Sequence, residues 1–301
     1  MSRIRVLVAG GSGQVARALV DTALAADVDL VALGRPGLDL TDPASIEAAV
    51  RSAAPAIVIN AAAYTAVDQA ETDEAGAHAL NAKGAGLLAA VAARAGAPIL
   101  HLSTDYVFAG DKPGPYAETD PTGPTGAYGR SKLAGEQAVA EANPRHAIFR
   151  TAWVYSPYGK NFARTMLRFA ETREELSVVH DQIGNPTSAH DIARGLWDAA
   201  RQVTRDPAAL TAGIYHMTAS GEASWAEFAE EIFRVSAACG GPVARVRRIT
   251  TAEYPTPTRR PANSRLDCRK LARQFGIILP QWQPSTQACI EQLVKVKGWT
   301  Q

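Results

Sequence analysis

The chain has 301 residues, enough for one large domain or two ordinary ones with a real core. Hydrophobic residues make up 47% and charged residues 20%, a balance that excludes a disordered or collagen-like chain. Lys plus Arg number 31 and Asp plus Glu 30, so the formal charge is only +1 and no broad field draws nucleic acid or an acidic membrane. An anionic ligand must then be held by a few placed groups. Cys239, Cys268 and Cys289 are scattered and form no C-x-x-C pair, so neither a disulfide framework nor a metal site is expected. The N-terminal apolar run is too short for a signal peptide, and no stretch approaches the roughly 18 apolar residues of a membrane span. The expectation is a reduced, soluble, cytoplasmic protein with no membrane or nucleic-acid partner.

In chain order, short apolar runs at 4–9, 30–33, 57–60, 99–103 and 147–150 predict buried parallel strands. Ala-rich stretches with helical spacing lie between them, near 14–26, 44–53, 72–95 and 125–142. Strands alternating with helices predict an α/β fold, a Rossmann-type doubly wound parallel sheet covered on both faces. Beyond residue 150 the rhythm is less regular. Helices are expected near 161–172, 189–201, 225–239 and 286–297, with strands at 176–179 and 214–217. The proline- and arginine-bearing segment 253–263 reads as a loop. The last third is expected to form a smaller lobe beside the sheet.

Gly10, Gly11, Ser12, Gly13, Gln14 and Val15 form a glycine-rich turn between the first strand and the first helix. Gly10 suits the tight turn. Gly13 lets backbone N–H groups approach a pyrophosphate at the helix N-terminus, where the macrodipole favours negative charge. Ala16 takes the place of a third glycine, and a methyl still permits close packing. At the tip of the second strand an acid would hold a ribose 2′-hydroxyl and an arginine a 2′-phosphate. The tip reads Leu33-Gly34-Arg35, so Arg35 favours NADP, while nearby Asp39 softens that preference.

Tyr128 and Lys132 are four residues apart, on one face of a helix if Thr125 starts it. A lysine ammonium beside a phenol lowers the phenol pKa, and the tyrosine can donate a proton to a carbonyl as hydride arrives at carbon. Thr104 closes the fourth strand, whose C-terminal end should face the ligand crevice, so its hydroxyl can bind the same carbonyl oxygen. The small-residue run Ala61, Ala62, Ala63, Tyr64 and Thr65 follows the third strand and suits backbone contact with a cofactor.

Together these pieces resemble the extended short-chain dehydrogenase/reductase superfamily. More narrowly, 60–68, 103–108, 128–136, 150–155, 181–187 and the Arg260-Pro261…Ser264-Arg265-Leu266-Asp267 signature resemble the dTDP-4-dehydrorhamnose reductases. That resemblance implies an oxidoreductase that reduces the 4-keto group of dTDP-6-deoxy-L-lyxo-4-hexulose to dTDP-L-rhamnose. NADPH is the implied cofactor, with NADH as the alternative. Thr104, Tyr128 and Lys132 match the family's catalytic set. Gly10 to Val15, Asp39, Leu40, Ala63 to Thr65, Tyr128 and Lys132 match its cofactor contacts. Thr104, Asp105 and Trp153 match its sugar contacts, and the Trp153 ring could pack on a deoxysugar. Arg259 and Arg260 could offer donors to the sugar-nucleotide pyrophosphate.

Residues 1–150 are thus expected to form the NAD(P)-binding domain and 151–301 mainly the sugar-nucleotide lobe, interleaved with it. Some members of the family dimerise through magnesium-binding acids. The region around Ala189-His190-Asp191 lacks an obvious glutamate, so no metal is expected and a homodimer stays open. A 4,6-dehydratase or 4-epimerase shares the Thr/Tyr/Lys machinery. Tyr106 stands where a dehydratase carries a second acid directly after Asp105, which argues against dehydration. A reductase of another dTDP-4-ketohexose and a non-catalytic NADP-binding regulatory subunit are the remaining alternatives.

Overall fold

A computed structural model describes residues 3–206 and 210–297. The first half runs β1 (Ile4–Ala9), α1 (Gln14–Ala26), β2 (Val28–Leu33), α2 (Pro43–Ala53), β3 (Ile57–Asn60), α3 (Val67–Ala70), α4 (Glu74–His78), α5 (Ala85–Arg94), β4 (Ile99–Thr104), α6 (Ala127–Ala142) and β5 (His146–Thr151). The second half runs β6 (Val154–Tyr155), α7 (Phe162–Ala170), β7 (Glu175–Val179), β8 (Ile183–Gly184), β9 (Thr187–Ser188), α8 (Ala189–Arg205), β10 (Gly213–His216), β11 (Ala223–Ser224), α9 (Trp225–Ala238), β12 (Arg245–Ile249), α10 (Arg269–Phe275) and α11 (Trp282–Lys297).

Among the described residues six strands form one parallel sheet in the order β2-β1-β3-β4-β5-β10. Successive side chains of β1 enter different cores, which is why its run is apolar throughout. Val6 and Val8 join Leu19 of α1 and Leu196 and Trp197 of α8. Leu7 and Ala9 join Ile46 of α2, Leu88 of α5 and Val139 of α6. The Trp197 indole N–H donates to the Thr22 hydroxyl at 2.9 Å and ties α8 to α1. A further core, with Leu176, Ile232, Phe233, Ile290 and Leu293, lies where α7, α9 and α11 meet the parallel pair β7–β12.

Local chemistry sets the helix starts. Asp42 accepts from the Ala44 N–H ahead of α2, with Pro43 in its first turn. Ser224 and Glu227 form a reciprocal capping box on α9. By contrast α1 begins at Gly13 with no side-chain cap.

Several elements differ from the sequence pattern. The single helix expected at 72–95 is broken into α4, a wide π-helical turn over Ala79–Gly84, and α5. The wide turn turns buried Asn81 toward the glycine-poor loop after β3. Its Oδ1 accepts from Tyr64 N–H at 2.7 Å, and its Nδ2 donates to Tyr64 O at 3.1 Å and Ser131 Oγ at 2.9 Å. The helix expected from Thr125 starts instead at Ala127, where Glu71 Oε1 accepts the Ala127 N–H at 3.0 Å. Strand β12 and helix α10 were not expected, because Arg245-Val-Arg-Arg-Ile249 reads as a polar run. Its arginines are satisfied by pairing, Arg248 with Glu230 at 2.7 Å among them.

Helix α6 packs very closely on its neighbours. A Cβ added at Gly135 would run into the Asn81 carbonyl oxygen, and one at Gly129 into the Tyr106 carbonyl oxygen. Gly135→Ala should therefore destabilise the protein by about 1–3 kcal/mol, although alanine is the better helix former by ~1 kcal/mol. Urea unfolding should show a lower midpoint at unchanged slope, and a raised midpoint would contradict the close approach.

Candidate active site

Strand order reverses between β1 and β3, and ligands of open α/β sheets bind outside the strand C-termini at such a point. A cavity of about 830 Å³ opens there. Its lining comes from the ends of β1, β2, β3, β4 and β5, from α6, and from the loop after β6.

At the β1 end, Gly10 has φ 108° and its N–H and that of Gly11 both donate to Leu33 O, at 2.8 and 3.1 Å. A Cβ on Gly10 would lie 2.8 Å from Ala62 N, so this position requires glycine. Gly10, Ser12, Gly13, Gln14 and Val15 line the cavity, with the uncapped start of α1 offering first-turn N–H groups. That cradle fits a dinucleotide pyrophosphate. Gly11 is not in the lining; it backs onto the end of β2, where a Cβ would meet Gly34 N at 3.2 Å. Gln14 is also bound from the second half of the chain, because Ser156 Oγ and Asn161 Nδ2 donate to its Oε1 at 2.8 and 2.9 Å.

Arg35, Asp39 and Leu40 line the cavity beyond β2. Asp39 is turned into its own loop: Thr41 N–H and hydroxyl donate to Oδ1 at 2.9 and 2.7 Å. Those bonds, first the backbone one, hold its carboxyl below the usual range, with Arg35 a smaller contributor. Arg35 forms no ion pair among the described residues, so its guanidinium is available to a ligand phosphate. Ala61, Ala62, Ala63, Tyr64 and Thr65 also line the cavity, held by Asn60, which accepts the Ala62 N–H at 3.1 Å, and by Asn81.

The opposite wall brings together Thr104, Asp105, Tyr128 and Lys132. The Tyr106 ring stands edge-on to Tyr128 at 5.5 Å. Burial pushes the Tyr128 phenol up from its ordinary value, the Thr104 hydroxyl opposing and Asp105 adding to the rise. The lowering by Lys132 expected from the sequence is not what this geometry produces. The Lys132 ammonium donates to Leu102 O at 2.6 Å, and desolvation of the phenol outweighs everything else near it. Burial pulls Lys132 itself down to about 8, with Glu136 opposing. Burial raises Asp105 to about 6, the Ser264 and Thr104 hydroxyls opposing. Thr104 donates to Asp105 Oδ1 at 3.0 Å, while Asp105 Oδ2 is buried with no partner in hydrogen-bond geometry.

Trp153 lines the cavity with φ 49°, rare for a bulky residue. It stacks on Trp225 with ring centroids 3.5 Å apart, and a Cβ on Gly184 would come within 2.5 Å of the ring, so one aromatic face is already covered. Arg260 is not in the lining. Its guanidinium pairs with Asp68 at 2.6 Å and donates to Tyr106 Oη at 3.1 Å, beside the wall instead of on it. Lining residues that the sequence did not single out include Thr151 and Lys160. Thr151 ends β5 in register with Thr104, and its buried hydroxyl has no partner. The strand-end rule used for β4 would have found it. Lys160 lies in the loop after β6, which Ser156 and Asn161 tie to Gln14, a long-range link for which no local pattern exists.

Among the described residues no helix is long and apolar enough to cross a membrane, and no group of three or more His, Cys, Asp or Glu is placed to hold a metal ion.

Residues 4–295 match the RmlD substrate binding domain family. A dTDP-4-dehydrorhamnose reductase of Sinorhizobium fredii is 52% identical over 287 residues, covering 95% of this chain and 97% of that protein. One of Escherichia coli K12 is 41% identical over 296 residues, covering 96% and 98%. Among solved structures, a dTDP-4-dehydrorhamnose reductase of Bacillus anthracis in complex with NADP superposes with a TM-score of 0.88 at 34% identity, covering 96% of this chain and 99% of that one. The glycine cradle, the threonine, tyrosine and lysine gathered at the C-terminal end of β4 and this full-length similarity place the chain in the dTDP-4-dehydrorhamnose reductase family.

Proposed function

We propose that the protein reduces the 4-keto group of dTDP-6-deoxy-L-lyxo-4-hexulose to give dTDP-L-rhamnose, with NADPH as donor and NADH as the alternative. The observation that carries this reading is the convergence of Thr104, Tyr128 and Lys132 on one wall of a cavity whose other wall is the uncapped start of α1. A bound NADPH supplies the hydride that the sugar C4 accepts. Tyr128 donates its phenol proton to the oxygen left at C4, so the C=O becomes CH–OH. A phenol raised above its ordinary value is protonated at working pH, as a donor must be. Thr104 hydrogen-bonds the same oxygen and orients the carbonyl. Lys132 places a positive charge where the phenolate develops and a donor toward the cofactor ribose. The buried, unpartnered Oδ2 of Asp105 is an acceptor for a sugar hydroxyl.

Arg35 receives the 2′-phosphate that distinguishes NADPH. The α7, α9 and α11 lobe with Trp153 and Trp225 at its edge takes the sugar-nucleotide, and Arg260 steadies Tyr106 from that side. Tyr106 in place of a second acid after Asp105 supports reduction over dehydration.

The direct test follows NADPH consumption with the 4-ketosugar and identifies the product by mass and NMR. Absence of turnover, or a product other than the 6-deoxy-L-sugar nucleotide, would remove the assignment. Tyr128→Phe should lower kcat by about 10²–10⁴ while NADPH binding stays within a few-fold. Arg35→Ala should weaken NADPH binding about ten- to a hundredfold and leave NADH binding unchanged, as measured by fluorescence titration of both cofactors.

A further inference from the structure

A second charged layer lies behind the cavity wall, and no step of the reduction uses it. Glu136 stands four residues after Lys132 on α6, and Glu136, Lys132 and Arg150 are each 2% exposed. The Glu136 carboxylate accepts from Arg150 Nε at 2.8 Å, Arg150 Nη2 at 2.6 Å and Ser103 Oγ at 2.6 Å. Arg150 projects from β5 with its guanidinium 4.9 Å from the Phe108 ring centroid. A buried carboxylate–guanidinium pair is often no more stabilising than apolar residues of the same volume, so stability is a weak reason for it.

Its placement supplies a better one. The carboxylate is engaged on both oxygens by Arg150 and Ser103. Lys132 therefore forms no ion pair among the described residues and donates to Leu102 O at 2.6 Å, two residues before Thr104. A free carboxylate at i+4 would draw that ammonium down the helix, away from the cavity. The Ser103 bond also ties the carboxylate to the strand end that carries Thr104. We propose that Glu136 is a positioning residue for the reduction: clamped by Arg150 and Ser103, it sets an anion one helical turn behind Lys132 and leaves the ammonium at the cavity wall without capturing it. This rests on the reductase reading above.

The other groups facing Lys132 do not replace Glu136. His101 on β4 is held well below its ordinary value by burial and then by Lys132, so it is neutral. Tyr128 on α6 is a protonated phenol, Asp105 after β4 is bonded by Thr104, and Arg150 on β5 is itself cationic. Glu71 and Glu74, from the α3–α4 side, are engaged with the Ala127 N–H and with Arg130. Burial draws Lys132 down, and Glu136 is the group that opposes it.

Two variants test this. Glu136→Gln keeps the shape and removes the anion. The paired variant Glu136→Gln/Arg150→Met removes both charges and leaves none buried alone. Each is read by a ¹³C NMR titration of the Lys132 Cε in the cofactor-free protein and by the pH profile of kcat. In Glu136→Gln the Lys132 midpoint should fall by about one unit, and the alkaline limb of kcat should move down with it; in the paired variant, which also removes the Arg150 cation, both should move the same way by less. At pH 8 kcat should drop about fivefold, with KM for the ketosugar little changed. Glu136→Asp should restore both readouts in part. A folded variant with an unmoved midpoint and limb overturns the proposal. So does failure of the paired variant to fold, which would make the pair structural. If the parent protein does not oxidise NADPH with the ketosugar, the reductase reading fails instead, and the NMR titration still reports the Glu136–Lys132 coupling.

Discussion

The distance between α6 and its neighbours governs the rest of the site. At Gly129 and Gly135 the helix meets backbone carbonyl oxygens of Tyr106 and Asn81 so closely that a methyl would not fit. That approach sets the depth at which Tyr128 and Lys132 meet the end of β4. It lets Lys132 reach the Leu102 carbonyl and lets Tyr106 pack edge-on against Tyr128. A misplacement of ~1 Å in such a constellation can cost about a hundredfold in rate, so two residues without side chains matter as much as those with reactive ones.

The same closeness removes water, and the ionisable groups respond accordingly. Burial shifts each toward its neutral form: Tyr128 upward, Lys132 downward, Asp105 upward. For Tyr128 this keeps the proton that the ketone needs. For Lys132 it threatens the charge, and the anion behind it opposes the loss. The anionic ligands proposed for the cavity are met differently. The protein has almost no net charge, so attraction comes from placed groups: the uncapped N-terminus of α1, Arg35 after β2, and Lys160 after β6.

Much of the fold was legible because each strand of the sheet is apolar on both faces and each connecting helix is periodic. The run Ile4–Ala9, the turn Gly10–Val15 and the helix that follows need only local information. Thr104 was legible from its place at a strand end, and the Tyr128–Lys132 pair from helical spacing. Other features are not written locally. The π-helical turn at Ala79–Gly84 exists because Asn81 bonds a loop 17 residues away and a serine 50 residues away. Strand β12 is polar because its arginines find Glu175 and Glu230, which periodicity cannot show. Trp153 lines the cavity, but that Trp225, 72 positions later, covers one of its faces is not written locally.

By itself, then, the sequence determined the alternation of strand and helix, the phosphate-binding turn and the identity of the reactive trio. These follow from backbone geometry, side-chain period and functional-group chemistry within a few residues of each other. Only the tertiary structure decided how those groups are charged and aimed. It drove the Tyr128 phenol up when spacing alone predicted it down, committed Arg260 to Asp68 and Tyr106, and set Glu136 against Arg150. Desolvation and partner choice depend on what the rest of the chain packs around a group, and sequence spacing carries no record of that.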